Sequence, residues 1–162
     1  LCSQADPPSA GGLLSFVRLQ RESEAVLYRR CDMKFWKFEY EGEDALGACI
    51  ANRSLPPPES KRQGLSNTYA HPFKSMKVGD GVVLASLAGD EGKIFAVGKV
   101  RSVASSNTPA IIDWTATTKT VFPDARGGLV NWQTKTAFEI SPEPAKRYGL
   151  RELVEYYVRD VT

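Results

Sequence analysis

The chain has 162 residues, enough for one sizeable core and too few for two comfortable domains. Its 42% hydrophobic and 25% charged residues are ordinary for a soluble globular protein, and no stretch approaches the roughly 20 apolar residues of a membrane helix. A net charge of +2 is well short of many nucleic-acid-binding domains, so charge alone neither selects nor excludes that class; a basic face can coexist with an acidic one.

Three widely spaced cysteines, Cys2, Cys31 and Cys49, fit no zinc spacing and predict reduced thiols rather than a disulfide framework. Leu1–Asp6 has neither the basic start nor the apolar core of a signal peptide, which predicts a cytoplasmic protein. The absence of an initiating Met reads as a piece of a longer protein, with other domains as possible partners.

Residues 1–12, with Asp6-Pro7-Pro8 and Gly11-Gly12, cannot bury much apolar surface and predict a flexible lead-in; residues 13–162 form a single domain. Ser15–Leu19 reads as a strand, and Ala25–Tyr28 as a strand or equally a short helix. Phe35–Tyr40 alternates, with Trp36, Phe38 and Tyr40 on one side. Glu41–Leu65, punctuated by Gly42, Gly47 and Pro56-Pro57-Pro58, predicts a long surface loop. A helix begins near Thr68. Val82–Leu87 and Lys93–Val100 predict two strands joined through Ala88–Gly92, with Gly98 marking a bulge or a close backbone approach. Ser102–Val121 is rich in Ser and Thr and reads as irregular around Trp114. Trp132–Ile140 reads as a strand ended by Pro142 and Pro144, and Tyr148–Val158 as a helix docking through Leu150, Leu153, Val154 and Tyr157. Together these predict an α+β fold, a small β-barrel flanked by short helices.

Asn67, Ala70, Phe73, Met76, Lys77, Val78, Gly79 and Asp80 form an ordered set. Gly92–Val100, Phe122-Pro123-Asp124, Asn131-Trp132 and Phe35-Trp36 follow or precede it in a consistent order. This arrangement resembles the EVE/YTH-type domains of the PUA-like superfamily over roughly residues 34 to 140. The resemblance implies a non-catalytic module that binds DNA or RNA and holds a modified, methylated base flipped into an aromatic pocket. Such modules serve modification-dependent restriction or nucleic-acid regulation. Three departures stand out: Lys61–Leu65 lacks the tryptophan usual before the motif, Ala85-Ser86-Leu87 replaces the family's later serine-ended stretch, and the stretch between Val100 and Phe122 is longer than the usual EVE pattern.

For the pocket the resemblance implies Asn67, whose amide can donate and accept at once. Trp114, Trp36, Trp132, Tyr69 and Ser86 are the further candidates, although Trp36, on an alternating strand, suits a core better than a pocket, Trp132 suits either equally, and Asn67 could simply cap a helix. Lys61, Arg62, Lys74, Lys77 and Arg101 are candidates for phosphate contacts. One histidine, no clustered cysteines, no nucleophile elbow and no phosphate loop predict a chain without catalytic residues, metal or cofactor. The alternatives are a small-amide hydrolase of the related ASCH type, which would use Lys, Thr and Glu, and a protein-interaction module on the same barrel.

Overall fold

The computed structural model describes residues 33–40, 42–55, 70–105, 108–126 and 128–157. The elements are β1 (Phe35–Phe38), α1 (Glu43–Ala51), β2 (Ser54–Leu55), α2 (Ala70–Ser75), β3 (Gly81–Ala88), β4 (Glu91–Ser102), β5 (Ala110–Val121), α3 (Leu129–Thr134), β6 (Ala137–Ile140), α4 (Pro142–Arg147) and α5 (Leu150–Tyr157). The strands form one curled mixed sheet, a half-barrel, in the order β2-β5-β4-β3-β1-β6. β1 runs parallel to β3, and the other pairings are antiparallel. These elements lie in one compact unit beginning at Lys34. The expected lead-in and the segments Ser15–Leu19 and Ala25–Tyr28 lie outside the described residues.

Both faces of the sheet are covered at its centre, which is why all four residues of β1 are buried. On one face Trp36, Phe38, Val82, Leu84, Ala96, Val100, Ala110 and Ile112 form a core with Cys49 of α1 and Leu55, and Tyr40 packs against it. The expected alternation of Trp36, Phe38 and Tyr40 is therefore present. Phe73 of α2 meets the Phe38 ring at a centroid distance of 5.2 Å. The opposite face carries Phe35, Lys37, Val83, Val97 and Phe138, beneath Trp132 of α3 and the fully buried Leu150 and Val154 of α5. Leu150 and Val154 dock one helical turn apart, as their spacing predicts.

The turn before β3 is built around Asp80, which is itself buried. Its Oδ2 accepts from Trp36 Nε1 at 2.9 Å and from the Lys77 amide at 2.9 Å, while Oδ1 accepts from the Lys34 amide at 3.3 Å. Gly79 takes φ +92°, a conformation that glycine adopts without strain, and donates its amide to the Val100 carbonyl at 2.9 Å. One carboxylate thus ties the entry of β1 to the entry of β3. The hairpin between β3 and β4 turns through Gly89, φ +66°, and Asp90, within the expected loop.

Three expectations are corrected. Part of the expected loop 41–65 is the helix α1: Leu46, Cys49 and Ile50 have helical spacing and pack on the core, and Glu43 and Asp44 suit its first turn. The helix stops at Asn52, and Arg53 follows with φ +51°. The segment read as irregular around Trp114 is the twelve-residue strand β5. Its outer half is rich in threonine, which favours strands, and lies beyond the two-residue β2, so it lacks an apolar alternation to announce it. The expected strand 132–140 is divided: Leu129–Thr134 is helical after Gly128, φ +79°, and pairing begins only at Ala137. Pro142 and Pro144 do follow the end of that strand, but they sit within α4, where Pro142 occupies the first turn.

Candidate functional site

Trp36, Val82, Gly98 and Trp114 stand in register across β1, β3, β4 and β5 on one face of the sheet. Trp36, 0% exposed, is a core residue whose indole N–H is committed to Asp80, so its faces are covered. Trp114 is half-buried at the margin of the same core. Its indole N–H donates to the Ser54 carbonyl at 3.4 Å. Gly98 lets it lie close to β4: a Cβ there would stand 2.7 Å from Trp114 Cε3 and 2.9 Å from the Asp113 carbonyl. The sequence thus anticipated a close approach at Gly98; the register shifts of β4 fall elsewhere, at Ile94/Ala96 and Val100/Ser102.

Beyond Trp114, this face opens to solvent. Ser86 pairs with Lys93 and Lys93 with Thr120, and Lys93, Ala116, Thr118 and Thr120 are exposed. Lys74 lies in the last turn of α2, Lys77 precedes the Asp80 turn, and both are exposed. Arg101 is also exposed and bonds Asp113. Arg53, which sequence reasoning did not single out, bonds the same carboxylate from the end of α1. Burial would raise the Asp113 pKa, but the two guanidinium groups outweigh it and hold the carboxyl below its ordinary 3.8. Asn67, Tyr69, Lys61 and Arg62 lie outside the described residues.

Trp132 lies on the other face. Alternation along β1, β3 and β6 puts Lys37, Glu39, Leu87, Thr136 and Phe138 on the side opposite Trp36, and α3 brings Trp132 against Gly92 and Phe138 there. The sheet therefore separates Trp132 from Trp36, Trp114 and Ser86, which do not gather around one pocket. Beside Trp132 is a cavity of about 320 Å³ bordered by Glu39, Leu87, Trp132, Gln133, Thr134, Lys135 and Thr136.

Glu39, at the border of this cavity, belongs to an ion pair that sequence reasoning missed. Lys37 is fully buried, with Nζ 2.6 Å from Glu39 Oε2. The ammonium also lies 5.3 Å from the Trp132 ring centroid and 5.7 Å from that of Phe138. A buried ammonium is tolerated only when paired, and aromatic faces add to the pairing. The Trp132 indole N–H and the Thr136 hydroxyl are buried without a hydrogen-bond partner among the described residues.

Among the described residues, no group of His, Cys, Asp and Glu could hold a metal ion, and no helix is long and apolar enough to cross a membrane. Cys49 is a free, buried thiol whose pKa is pushed up by burial. No protein-family model matches the chain, and no curated protein matches it significantly.

Proposed function

We propose that the chain is a non-catalytic nucleic-acid-binding module of the PUA-like, EVE/YTH type, which stacks a modified, methylated base of DNA or RNA against Trp114. The observation that carries this reading is the setting of Trp114. It is a partly exposed aromatic fixed on a strand, hydrogen-bonded to Ser54 and bordered by an open polar surface. The chain leaves the sheet at Leu55, whose strand pairs with β5 close to Trp114. It returns in α2, whose Phe73 packs on the same core. Lys74 and Lys77 supply cationic groups for phosphates, whereas Arg53 and Arg101 meet at Asp113, which alternates with Trp114 along β5 and leaves the strand on the other face.

The energetics are adequate. Flipping a base out of a duplex costs a few kcal/mol, and each base–aromatic stack returns roughly 1–3 kcal/mol. The test is a titration of the chain with methylated and plain DNA and RNA oligonucleotides at low salt. Trp114→Leu, which keeps apolar bulk but removes the stacking face, should weaken binding about 10- to 100-fold. No binding to any oligonucleotide would sink the reading, and equal binding of methylated and plain strands would remove its modified-base half.

The hydrolase alternative has one observation in its favour: Lys37, Glu39 and Thr136 cluster near a cavity. Yet the Thr136 hydroxyl bonds neither Lys37 nor Glu39, so no base is in position to take its proton.

A further inference from the structure

Trp114 stands where the covered part of its sheet face gives way to the open part. Toward one end of β5, Ile112 and Ala110 are buried in the core with Leu55 and Cys49, so a strand bound at Trp114 cannot continue that way. Toward the other end, Ala116, Thr118 and Thr120 are exposed and short, which leaves the surface low. At that end Ser86, Lys93 and Thr120 stand directly opposite one another across β3, β4 and β5, on the Trp114 face. Opposed residues have Cβ atoms about 4.5–5.5 Å apart, so a hydroxyl flanks the Lys93 stem on either side. Lys93 is exposed and forms no ion pair among the described residues. An ammonium and two hydroxyls all donate to oxyanions, the chemistry of a backbone-phosphate contact. Glu91, opposite Ala88, follows on the same face and repels phosphate, which makes the row the far limit of a path.

On the nucleic-acid reading of Trp114, on which this step rests, we infer that the Ser86–Lys93–Thr120 row binds a backbone phosphate of the strand whose modified base stacks there. The strand then runs along β5, over Ala116 and Thr118. Thr120 lies six residues beyond Trp114, about 20 Å at the rise of an extended strand. The phosphate held by the row therefore belongs to a nucleotide some positions away from the stacked base. A free nucleoside reaches Trp114 alone, whereas a longer strand reaches both.

The probes are N6-methyladenine and 5-methylcytosine, each as the free nucleoside and inside an oligonucleotide of about eight nucleotides, titrated into the full chain by tryptophan fluorescence. Lys93→Ala should leave nucleoside binding unchanged. It should weaken binding of the strand about three- to tenfold and lower the slope of log affinity against log salt by about 0.7–0.9, the increment for one phosphate. Thr120→Val should weaken the strand by a smaller factor, and Glu91→Gln should tighten it. Lys135→Ala, which removes an exposed cation from the opposite face, should change neither affinity nor slope. If Trp114→Leu weakens the strand while Lys93→Ala leaves its affinity and salt slope intact, the row is overturned and the Trp114 reading stands. The row also falls if Lys135→Ala lowers the slope as much as Lys93→Ala does. No binding of any strand overturns both.

Discussion

Trp114 lies so close over Gly98 that a single methyl group on that glycine would meet the indole Cε3 at 2.7 Å and the Asp113 carbonyl at 2.9 Å. One of those neighbours is backbone, which cannot turn aside as a flexible side chain would. Gly98→Ala should therefore destabilise the fold by about 1–3 kcal/mol, the range of overpacking substitutions. It should also displace Trp114 and weaken oligonucleotide binding. Urea denaturation and the binding titration check both effects; an alanine that left both unchanged would show that the two strands are not in such contact.

Asp80 offers a second test. Its carboxylate accepts three hydrogen bonds, from Trp36 Nε1 and the Lys77 and Lys34 amides. Asp80→Ala strands the buried indole N–H and loosens the turn. It should cost about 2–4 kcal/mol, since an unsatisfied buried donor costs about 1–3 kcal/mol. Trp36→Phe removes the donor as well, so once that change is made the aspartate substitution should cost less. A double-mutant cycle by chemical denaturation measures the difference, and strict additivity would show that the bond contributes nothing.

The Asp113 carboxyl titrates below its ordinary value despite burial, because Arg101 and Arg53 bond it. A depressed carboxyl stabilises the fold fully above its unfolded pKa, and that contribution is lost as pH falls through the folded one. Asp113→Asn should therefore differ in stability from the parent chain by a constant amount above about pH 4, with the gap closing at lower pH. Denaturant midpoints from pH 2 to 6 test this. A gap that stayed constant throughout would mean that the carboxylate's charge is not the stabilising element.

Tyr148 behaves in the opposite sense. Its hydroxyl is buried without a partner among the described residues, and burial raises its pKa above the ordinary 10.0, against the lowering effect of Arg147. The fold thus favours the neutral phenol: that contribution is complete below the unfolded pKa and disappears as pH rises through the folded one. Tyr148→Phe should be neutral to stabilising by about 1 kcal/mol at pH 7, because no bond is lost. Its stability should also fall less above pH 10. Thermal melts at neutral and alkaline pH check both halves; a clear loss at pH 7 would reveal a hydroxyl partner.

What could be read from the sequence follows from how locally each feature is determined. Trp36 and Phe38 alternate, the turn at Gly79-Asp80 uses residue types with one obvious geometry, and Leu150 and Val154 repeat at helical spacing. The Lys37–Glu39 pair was invisible for the converse reason. Charges two apart on a strand look like a solvent-facing edge, and their burial is imposed by Phe138 and Trp132, about a hundred residues downstream. Trp132 itself looked like the start of a strand because its helix is set by left-handed Gly128 and by packing on Gly92. The long strand around Trp114 was obscured by threonines, which a half-solvated strand accepts and an irregular segment also favours. Of the candidate pocket, the sequence identified individual tryptophans but not the face each occupies, which depends on the register of the sheet.

The placement of β1 between β3 and β6 also has a kinetic consequence. β3, β4 and β5 follow one another as antiparallel neighbours, so their contacts close short loops, whereas Phe35 must find Ile140 across most of the described chain. Closing the longer loop costs more entropy before any contact compensates for it. The three-stranded meander is thus the natural folding nucleus, with insertion of β1 and docking of β6 as late events. Substitutions in the Gly89-Asp90 hairpin should chiefly slow folding, while those in β6 should chiefly hasten unfolding, a division that chevron plots would expose. The strand buried on both faces would then be among the last to arrive, leaving the meander edge open for longest on the nascent chain.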